Sequence, residues 1–309
     1  MLAGGGDALN GLEVFALAAA FDILVGEPPA SIHPVIWIGR LISRLRKLAP
    51  NTMIGGLAVA ALVIFGTIVS GYILVYIASL VLPALGLLMA AYLLKSTFAV
   101  RCLLETSQSI GRAIDDDLNS AKSMLPALVG RKTEGLTSAQ ARSAVIESLS
   151  ENYVDSVLSP IFYYLLFEPF GLGLEAALGF KAISTMDSML GYKTKDLIHM
   201  GFVPAHLDDL ANYIPARLSI FLIALSNPGK AGKALSTAFR DHGKTPSPNS
   251  GWPMSAAAGA LGVRLDKPEY YVLLEEGSEP RREDIARALR LVGTAMALAI
   301  IISLLVLVL

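Results

Sequence analysis

The hydrophobic positions of this chain are concentrated in long runs. The longest run extends from Met53 to Leu94 and is interrupted at Pro83 and Gly86. It is too long for one membrane crossing, because a helix crosses the apolar part of a bilayer with about 20 residues. The run therefore predicts a hairpin of two membrane spans, at about 53–82 and 84–100.

The other apolar runs differ in length and in whether they contain charged residues. Leu291–Leu309 predicts a further full span, and 9–25 predicts a weaker one, whose acids Glu13 and Asp22 must face protein or water. Two shorter stretches, about 157–180 and 214–225, favour re-entrant, interfacial or broken helices over simple crossings.

The composition agrees with this pattern. The chain has 309 residues, of which 54% are hydrophobic and only 17% are charged, and its mean hydropathy is +0.57. These values lie outside the range of ordinary soluble proteins. We therefore predict an all-α, polytopic integral membrane protein with about four full transmembrane helices plus re-entrant or interfacial helices. These would form a single membrane-embedded domain, 1–309.

Charge limits the partners and the orientation. A formal net charge of −1, without a basic stripe, argues against nucleic acid as a partner. The single cysteine, Cys102, excludes an internal disulfide. The loop before the hairpin carries Arg40, Arg44, Arg46 and Lys47, which predicts that this loop faces the cytoplasm. The expected location is the cell membrane, with several crossings and a cytoplasm-facing polar site.

The segment ESLSENYVDSVLSP concentrates acids beside an apolar stretch. Glu147, Glu151 and Asp155 follow one another at intervals of four residues, with Asn152 among them. That spacing places all three carboxylates on one face of a helix, where they repel one another. A solvated face would tolerate the repulsion, and a bound divalent cation or a basic partner would remove it.

A second polar segment, Lys181–Ser219, combines acids with basic and amide groups. Asp187, Asp208 and Asp209 are oxygen ligands of the kind that suits Mg²⁺. Lys181 and Arg217 offer the point charge and the fork of donors that a phosphate or carboxylate requires. Roles in helix capping or in salt bridges are the alternative for any one of these acids.

Two loops are also candidates. Arg240–Met254 is rich in proline and contains Asn249 and Trp252, which suits a charged ligand with a flat apolar body. A surface loop with an anchoring tryptophan is the alternative. The stretch Phe21–Ile42 contains Asp22, Glu27, His33 and Arg40, and its prolines also fit a stiff connector.

Together, five stretches resemble the CobD/CbiB family of adenosylcobinamide-phosphate synthases. They read DILVGEPPASIHPVIWIGRLI, ESLSENYVDSVLSPIFYYLL, STMDSMLGYKTK, HLDDLANYIPARL and SPNSGWPMSAAAGALGVRL, in the family's order, and they cover most of the chain. The resemblance implies amide formation between adenosylcobyric acid, a cobalt corrinoid substrate, and (R)-1-amino-2-propanol or its O-phosphate. It also implies ATP and Mg²⁺. The resemblance does not determine whether the protein forms a homo-oligomer.

The resemblance also implies roles for the candidate residues. It implies catalytic roles for Glu147, Glu151, Asp155 and Asp187. It implies that Asp187, Asp208 and Asp209 bind the metal. Substrate binding falls to Asp22, Glu27, His33, Arg40, Asn152, Lys181, Tyr192, Asn212, Arg217, Arg240, Asn249 and Trp252, with Trp252 against the corrin ring. A membrane corrinoid transporter, or a signalling protein of related architecture without ligase activity, is the competing hypothesis.

Overall fold

A computed structural model describes residues 9–130, 133–192, 194 and 196–309, and it is all-α apart from one small hairpin. The helices are α1 (Gly11–Leu24), α2 (Pro34–Leu48), α3 (Met53–Val81), α4 (Pro83–Lys95), α5 (Val100–Asp116), α6 (Leu118–Met124), α7 (Ser138–Tyr153), α8 (Ser159–Phe167), α9 (Gly173–Leu190), α10 (Phe202–Ala211), α11 (Tyr213–Ser226), α12 (Ala231–Asp241), α13 (Gly251–Leu261) and α14 (Arg282–Val308). A π-helical turn, Val154–Leu158, joins α7 to α8. The strands β1 (Leu265–Lys267) and β2 (Tyr271–Leu273) are antiparallel.

Three helical stretches among the described residues are long and apolar enough to cross a membrane. They are Met53–Val81, Pro83–Asp116, which contains α4 and α5, and Arg282–Val308. The predicted class, an all-α membrane protein, is thus confirmed, and the predicted spans at 53–82, 84–100 and 291–309 correspond to parts of these three stretches. The run at 9–25 forms α1, which has 14 residues and is not one of the three, so the count of four full spans stays a prediction. The stretch at 214–225 forms α11, a shorter apolar helix.

The chain divides into two compact units that interleave along the sequence. The first comprises Met1–Ala99, Pro160–Asp208 and Ile301–Leu309, and the second comprises Val100–Ser159 and Asp209–Ile300. Because neither unit is one continuous segment, they do not correspond to two consecutive domains. The predicted single domain, 1–309, stays a prediction.

In the first unit, α3 packs against α2, α4 and α9. Ile38 and Ile42 project from the amphipathic helix α2 into a core with Val63 and Met186, which leaves Arg40 on the exposed side. At the hairpin, a β-carbon on Gly86 would collide with Ser79, so glycine is required for α4 to approach α3 this closely.

In the second unit, α13 lies against α7, α11 and α12. Every residue of α13 is buried, and its small side chains permit close packing, since a β-carbon on Gly259 would collide with the carbonyl of Lys233. Helix α7 begins with a capping box between Thr137 and Gln140. The β-hairpin packs on α7 through β1, and this contact brings the hairpin to the acidic segment.

Candidate functional site

The second unit contains a polar cleft of about 320 Å³, here called the acid cleft. Three of its residues, Glu147, Glu151 and Asp155, are the acids that the sequence places on one helix face. Glu147 and Glu151 lie on α7, and Asp155 lies in the π-helical turn that follows. The cleft is lined by Leu128, Val129, Gly130, Ala144, Glu147, Ser148, Glu151, Asn152, Asp155, Lys267 and Tyr271. The four-residue spacing therefore brings all three carboxylates to one cavity.

Glu147 lines this cleft, is buried and anchors the β-hairpin. Its Oε1 accepts a hydrogen bond from the Ser143 hydroxyl at 2.7 Å, and its Oε2 accepts one from the Tyr271 hydroxyl at 2.8 Å. The Ser143 oxygen in turn accepts a hydrogen bond from the Asp266 N–H at 2.7 Å. Because both carboxylate oxygens bind protein donors, Glu147 positions Tyr271 in the cleft, and its predicted catalytic role stays a prediction.

Asn152 shapes another wall of the acid cleft. Its side-chain nitrogen donates to the Ser148 carbonyl at 2.9 Å and to the Ser148 hydroxyl oxygen at 2.8 Å. The Ser148 hydroxyl donates to the carbonyl of Leu128. These bonds tie α7 to the loop at 128–130, so the predicted substrate-binding residue Asn152 also holds the cleft's shape.

Lys267 and Tyr271 enter the acid cleft from the hairpin, and neither was predicted from the sequence. They are paired across the two strands, and Lys267 Nζ lies 5.1 Å from the ring centroid of Tyr270 and 5.8 Å from that of Tyr271. The turn residues Pro268 and Glu269 between two short apolar segments would have been the signal for this hairpin.

The second unit also brings three predicted residues, Asp209, Asn249 and Trp252, together around a fourth, Arg217. Its guanidinium lies 3.4 Å from the centroid of the Tyr213 ring and 5.1 Å from that of Trp252. Arg217 Nη1 donates to the Tyr213 carbonyl at 2.6 Å and to Asn249 Oδ1 at 3.4 Å. Asn249 Nδ2 donates to the Asp209 carbonyl at 2.7 Å. The guanidinium is thus held in one orientation, which favours binding of an oxyanion.

Trp252 itself is buried among side chains. The His242 ring stacks on it at a centroid distance of 3.7 Å, and the Phe239 ring meets it edge to face. Burial and the charge of Arg217 lower the pKa of His242, so this imidazole is neutral at neutral pH. A direct contact of Trp252 with corrin stays a prediction, and such a contact would require its neighbours to move.

Two other predicted residues of the second unit have well-defined partners. Arg240 donates to Asp241 and to Glu276 through Nε and both Nη atoms. Burial of Asp241 acts to raise the pKa of its carboxyl, but hydrogen bonds from Arg240, Lys244 and the Leu274 N–H lower it well below its usual range. Asn212 Oδ1 accepts a hydrogen bond from the Ser159 hydroxyl at 2.6 Å. These contacts fix the local structure around Arg240 and Asn212.

In the first unit, a network of charges involves three predicted residues and one missed residue. Lys95 is wholly buried, and its Nζ lies 3.1 Å from Asp22 Oδ1 and 2.6 Å from Glu27 Oε1. Glu27 Oε2 lies 2.8 Å from His33 Nε2. We call these four residues the Lys95 network. An ionisable residue near the end of an apolar run, as in AAYLLKS, is the signal that would have identified Lys95.

His33 has both ring nitrogens engaged. Its Nδ1 accepts a hydrogen bond from the Val35 N–H at 3.2 Å, which caps α2. Because Nδ1 is an acceptor, Nε2 carries the proton and donates to Glu27. Burial acts to raise the pKa of Glu27, but the hydrogen bonds from His33 and Lys95 lower it overall. His33 therefore caps a helix and orients Glu27.

The remaining predicted residues of the first unit lie on α2, α9 and α10, except Tyr192, which follows the end of α9. Arg40 and Tyr192 are exposed, whereas Lys181, Asp187 and Asp208 are half-buried. Asp209, the third predicted metal ligand, belongs to the second unit. In the described part of the chain, no group of three or more His, Cys, Asp or Glu side chains is arranged to hold a metal ion.

The acid cleft nevertheless fits Mg²⁺ by the chemistry of its donors. Magnesium at phosphate-transfer sites is usually held by one or two protein carboxylates, with phosphate oxygens and water in the other positions. Glu151 and Asp155 provide two such carboxylates in one cavity. The set Asp187, Asp208 and Asp209 stays a prediction.

Comparison with known proteins gives a consistent family match. The model of the CobD/Cbib protein family matches residues 15–292. The probable cobalamin biosynthesis protein CobD of Methanothrix thermoacetophila is 54% identical over 305 residues, which cover 96% of each chain. The protein of the same name from Thermococcus kodakarensis is 38% identical, over 92% of this chain and 91% of that one. The cobalamin biosynthesis protein CobD of Klebsiella pneumoniae is 34% identical, over 94% and 95%. No solved structure matches the chain.

Proposed function

This chain belongs to the CobD/CbiB family of cobalamin biosynthesis proteins, and on that premise we propose that it is an ATP-dependent amide ligase. Its substrates are adenosylcobyric acid and (R)-1-amino-2-propanol or its O-phosphate, and its product is adenosylcobinamide or the corresponding phosphate. The observation that carries the proposal is the acid cleft, where α7 and the β-hairpin bring three carboxylates, a phenol and a lysine to one cavity.

The chemistry explains why ATP is required. A carboxylate does not react with an amine unaided, because the amine would have to displace an oxide ion, which is a very poor leaving group. In the proposed first step, the propionate oxygen of adenosylcobyric acid attacks the γ-phosphorus of ATP, which gives an acyl phosphate and ADP. In the second step, the amine nitrogen attacks the acyl carbon and inorganic phosphate leaves. The ammonium must lose a proton before it attacks, so the site requires a base.

The residues of the acid cleft match these requirements. Glu151 and Asp155 attract the ammonium of the amine substrate, and one of them takes its proton. Glu147 and Tyr271 hold each other in place, which fixes the position of the hairpin at the cleft. Mg²⁺, if held by whichever of Glu151 and Asp155 does not take the proton, would supply positive charge to phosphate oxygens.

Other residues are proposed to bind the larger substrates. The stacked guanidinium of Arg217 binds a phosphate or a carboxylate, and Asn249 keeps it in position. Lys181 and Arg40 bind ATP or aminopropanol phosphate, and Asp187, Asp208 and Asp209 form a second proposed metal set. The proposed location is the cell membrane with the site facing the cytoplasm, and the basic loop at 40–47 supports this orientation.

A mass-spectrometric assay tests this function. Detergent-purified protein is incubated with adenosylcobyric acid, aminopropanol or its phosphate, ATP and Mg²⁺. The expected product is heavier than the corrinoid substrate by the mass of the amine less one water, and it forms only with ATP. Corrinoid binding without any change in mass would overturn the ligase assignment and favour transport or sensing.

A further inference from the structure

Lys267 has a defined position at the rim of the acid cleft. It is the last residue of β1, and it faces Tyr271 across the hairpin. Its ammonium lies near the faces of the Tyr270 and Tyr271 rings. Aromatic faces attract a cation, so the two tyrosines limit the positions that the lysine head can take.

Lys267 differs from other lysines of the chain in its ionic partners. Lys95 and Lys244 are each within 3.1 Å of a buried aspartate. Lys267 lines a cleft with three carboxylates, yet among the described residues it forms neither an ion pair nor a hydrogen bond with any side chain. The hairpin does not need it as an anchor, because Tyr271 and the Asp266 N–H already bind α7.

The acid cleft therefore has a negative side on α7 and a positive group on the hairpin. A simple cation would leave Lys267 without a counterion, so a ligand of this cleft needs a negatively charged group. A ligand that also carries a positive charge is compatible with the acids on α7. A volume of about 320 Å³ lies at the small end of the usual range for ligand sites, which suits a small molecule or part of a nucleotide but not a corrin.

We propose that Lys267 is the phosphate-binding residue of the acid cleft. This inference rests on the proposed function. The phosphate arrives with its own positive charge, either the ammonium of an amino-alcohol phosphate or the magnesium of a nucleotide, and that charge meets Glu151 and Asp155. The lysine head supplies three donors and a point charge, which is how lysine binds phosphate elsewhere. Lys267 would then determine specificity for the phosphorylated ligand.

The test compares Lys267→Met, which keeps the length of the side chain without its charge, with Lys267→Arg, which keeps the charge. Lys233→Met is the matched control, since Lys233 is an exposed lysine of the same unit. For each variant, KM is measured for aminopropanol phosphate, for free aminopropanol and for ATP. Loss of a charge-assisted hydrogen bond predicts an increase of about 10- to 100-fold in one of these KM values for Lys267→Met. Lys267→Arg should recover most of this loss.

The pattern of changes identifies the source of the phosphate. If the KM ratio of aminopropanol phosphate to free aminopropanol rises, Lys267 binds the phosphate of the amine substrate. If instead the KM of ATP rises equally with either amine, Lys267 binds the nucleotide. If all three KM values of Lys267→Met match those of Lys233→Met, the proposal is wrong.

A binding measurement keeps this inference separate from the ligase activity. Equilibrium dialysis with radiolabelled aminopropanol phosphate, and separately with Mg-ATP, needs no turnover. If the unaltered protein forms no amide but binds one of these probes, and Lys267→Met loses that binding, the proposed function fails and the role of Lys267 stands. If the unaltered protein and Lys267→Met bind each probe equally well, the proposed role of Lys267 is wrong, whether or not the protein forms the amide.

Discussion

The acid cleft and the Lys95 network each combine lysine with several carboxylates, but the two regions use these groups differently. Lys95 is wholly buried and pairs directly with Asp22 and Glu27. Lys267 lies at the edge of a cavity, and its ammonium contacts tyrosine rings rather than carboxylates. A buried charge is tolerated only when it is paired, so the first arrangement stabilises the fold. The second leaves the charge of Lys267 available for a ligand.

The largest expected effect concerns the acids of the cleft. Glu151→Gln and Asp155→Asn each remove a charge but keep the size of the side chain. If these acids bind the amine and take its proton, kcat/KM should fall by about 10²- to 10⁴-fold, while the melting temperature in detergent stays close to that of the unaltered protein. Glu134→Gln, which changes an exposed acid of the same unit, is the control. Full activity in both cleft variants would show that these two acids neither bind the amine nor take its proton.

The next effect is on stability in the Lys95 network. Lys95→Met leaves Asp22 and Glu27 without their buried cation, and loss of one partner from a buried pair costs about 3–5 kcal/mol. Thermal unfolding in detergent should show this destabilisation, and Lys233→Met should not. The double variant Asp22→Asn with Lys95→Met should recover part of the stability. Unchanged stability of Lys95→Met would contradict a structural role for the network.

A smaller effect is expected at the contact between the hairpin and α7. Tyr271→Phe removes the hydroxyl that donates to the buried Glu147, and a buried acceptor that loses its donor costs about 1–3 kcal/mol. Tyr270→Phe is a close control, because Tyr270 is exposed. Denaturant unfolding of both variants measures the difference. Equal stability would show that Glu147 does not anchor the hairpin through this bond.

The smallest effect is the pH dependence that Glu27 contributes. Because the pKa of Glu27 is lowered in the folded protein, its contribution to stability is fully present above its unfolded pKa of about 4.3. The contribution is lost as the pH falls through the folded pKa. Melting temperatures measured from neutral pH down to about pH 3 should therefore decline less steeply for Glu27→Gln than for the unaltered protein. Parallel curves would contradict this assignment.

The sequence predicts the parts of this structure that depend on local pattern. The length of the run from Met53 to Leu94 predicts the membrane hairpin, and the four-residue spacing of Glu147, Glu151 and Asp155 predicts their shared face. Both features arise within one or two neighbouring helices. The shorter helix α1 shows the limit of this reasoning, because apolar composition at 9–25 does not determine how many residues are helical.

Long-range partners could not be predicted in this way. Glu147 binds Tyr271, which is 124 residues later in the chain, and Glu27 binds Lys95, which is 68 residues later. Nothing in the local pattern of either acid specifies its partner. The burial of Trp252 between its neighbours is likewise a result of tertiary packing.

The separation between α7 and the hairpin has a consequence for synthesis of the protein. A ribosome adds about 5–20 residues per second, so α7 emerges several seconds or more before the 124-residue gap to Tyr271 has been translated. During that interval Glu147 cannot bind Tyr271, and the cleft lacks its lysine. The cleft is therefore completed late in translation, after most of the chain's apolar segments have been made, and a nascent chain that stops before the hairpin carries the acids without the wall that orients them.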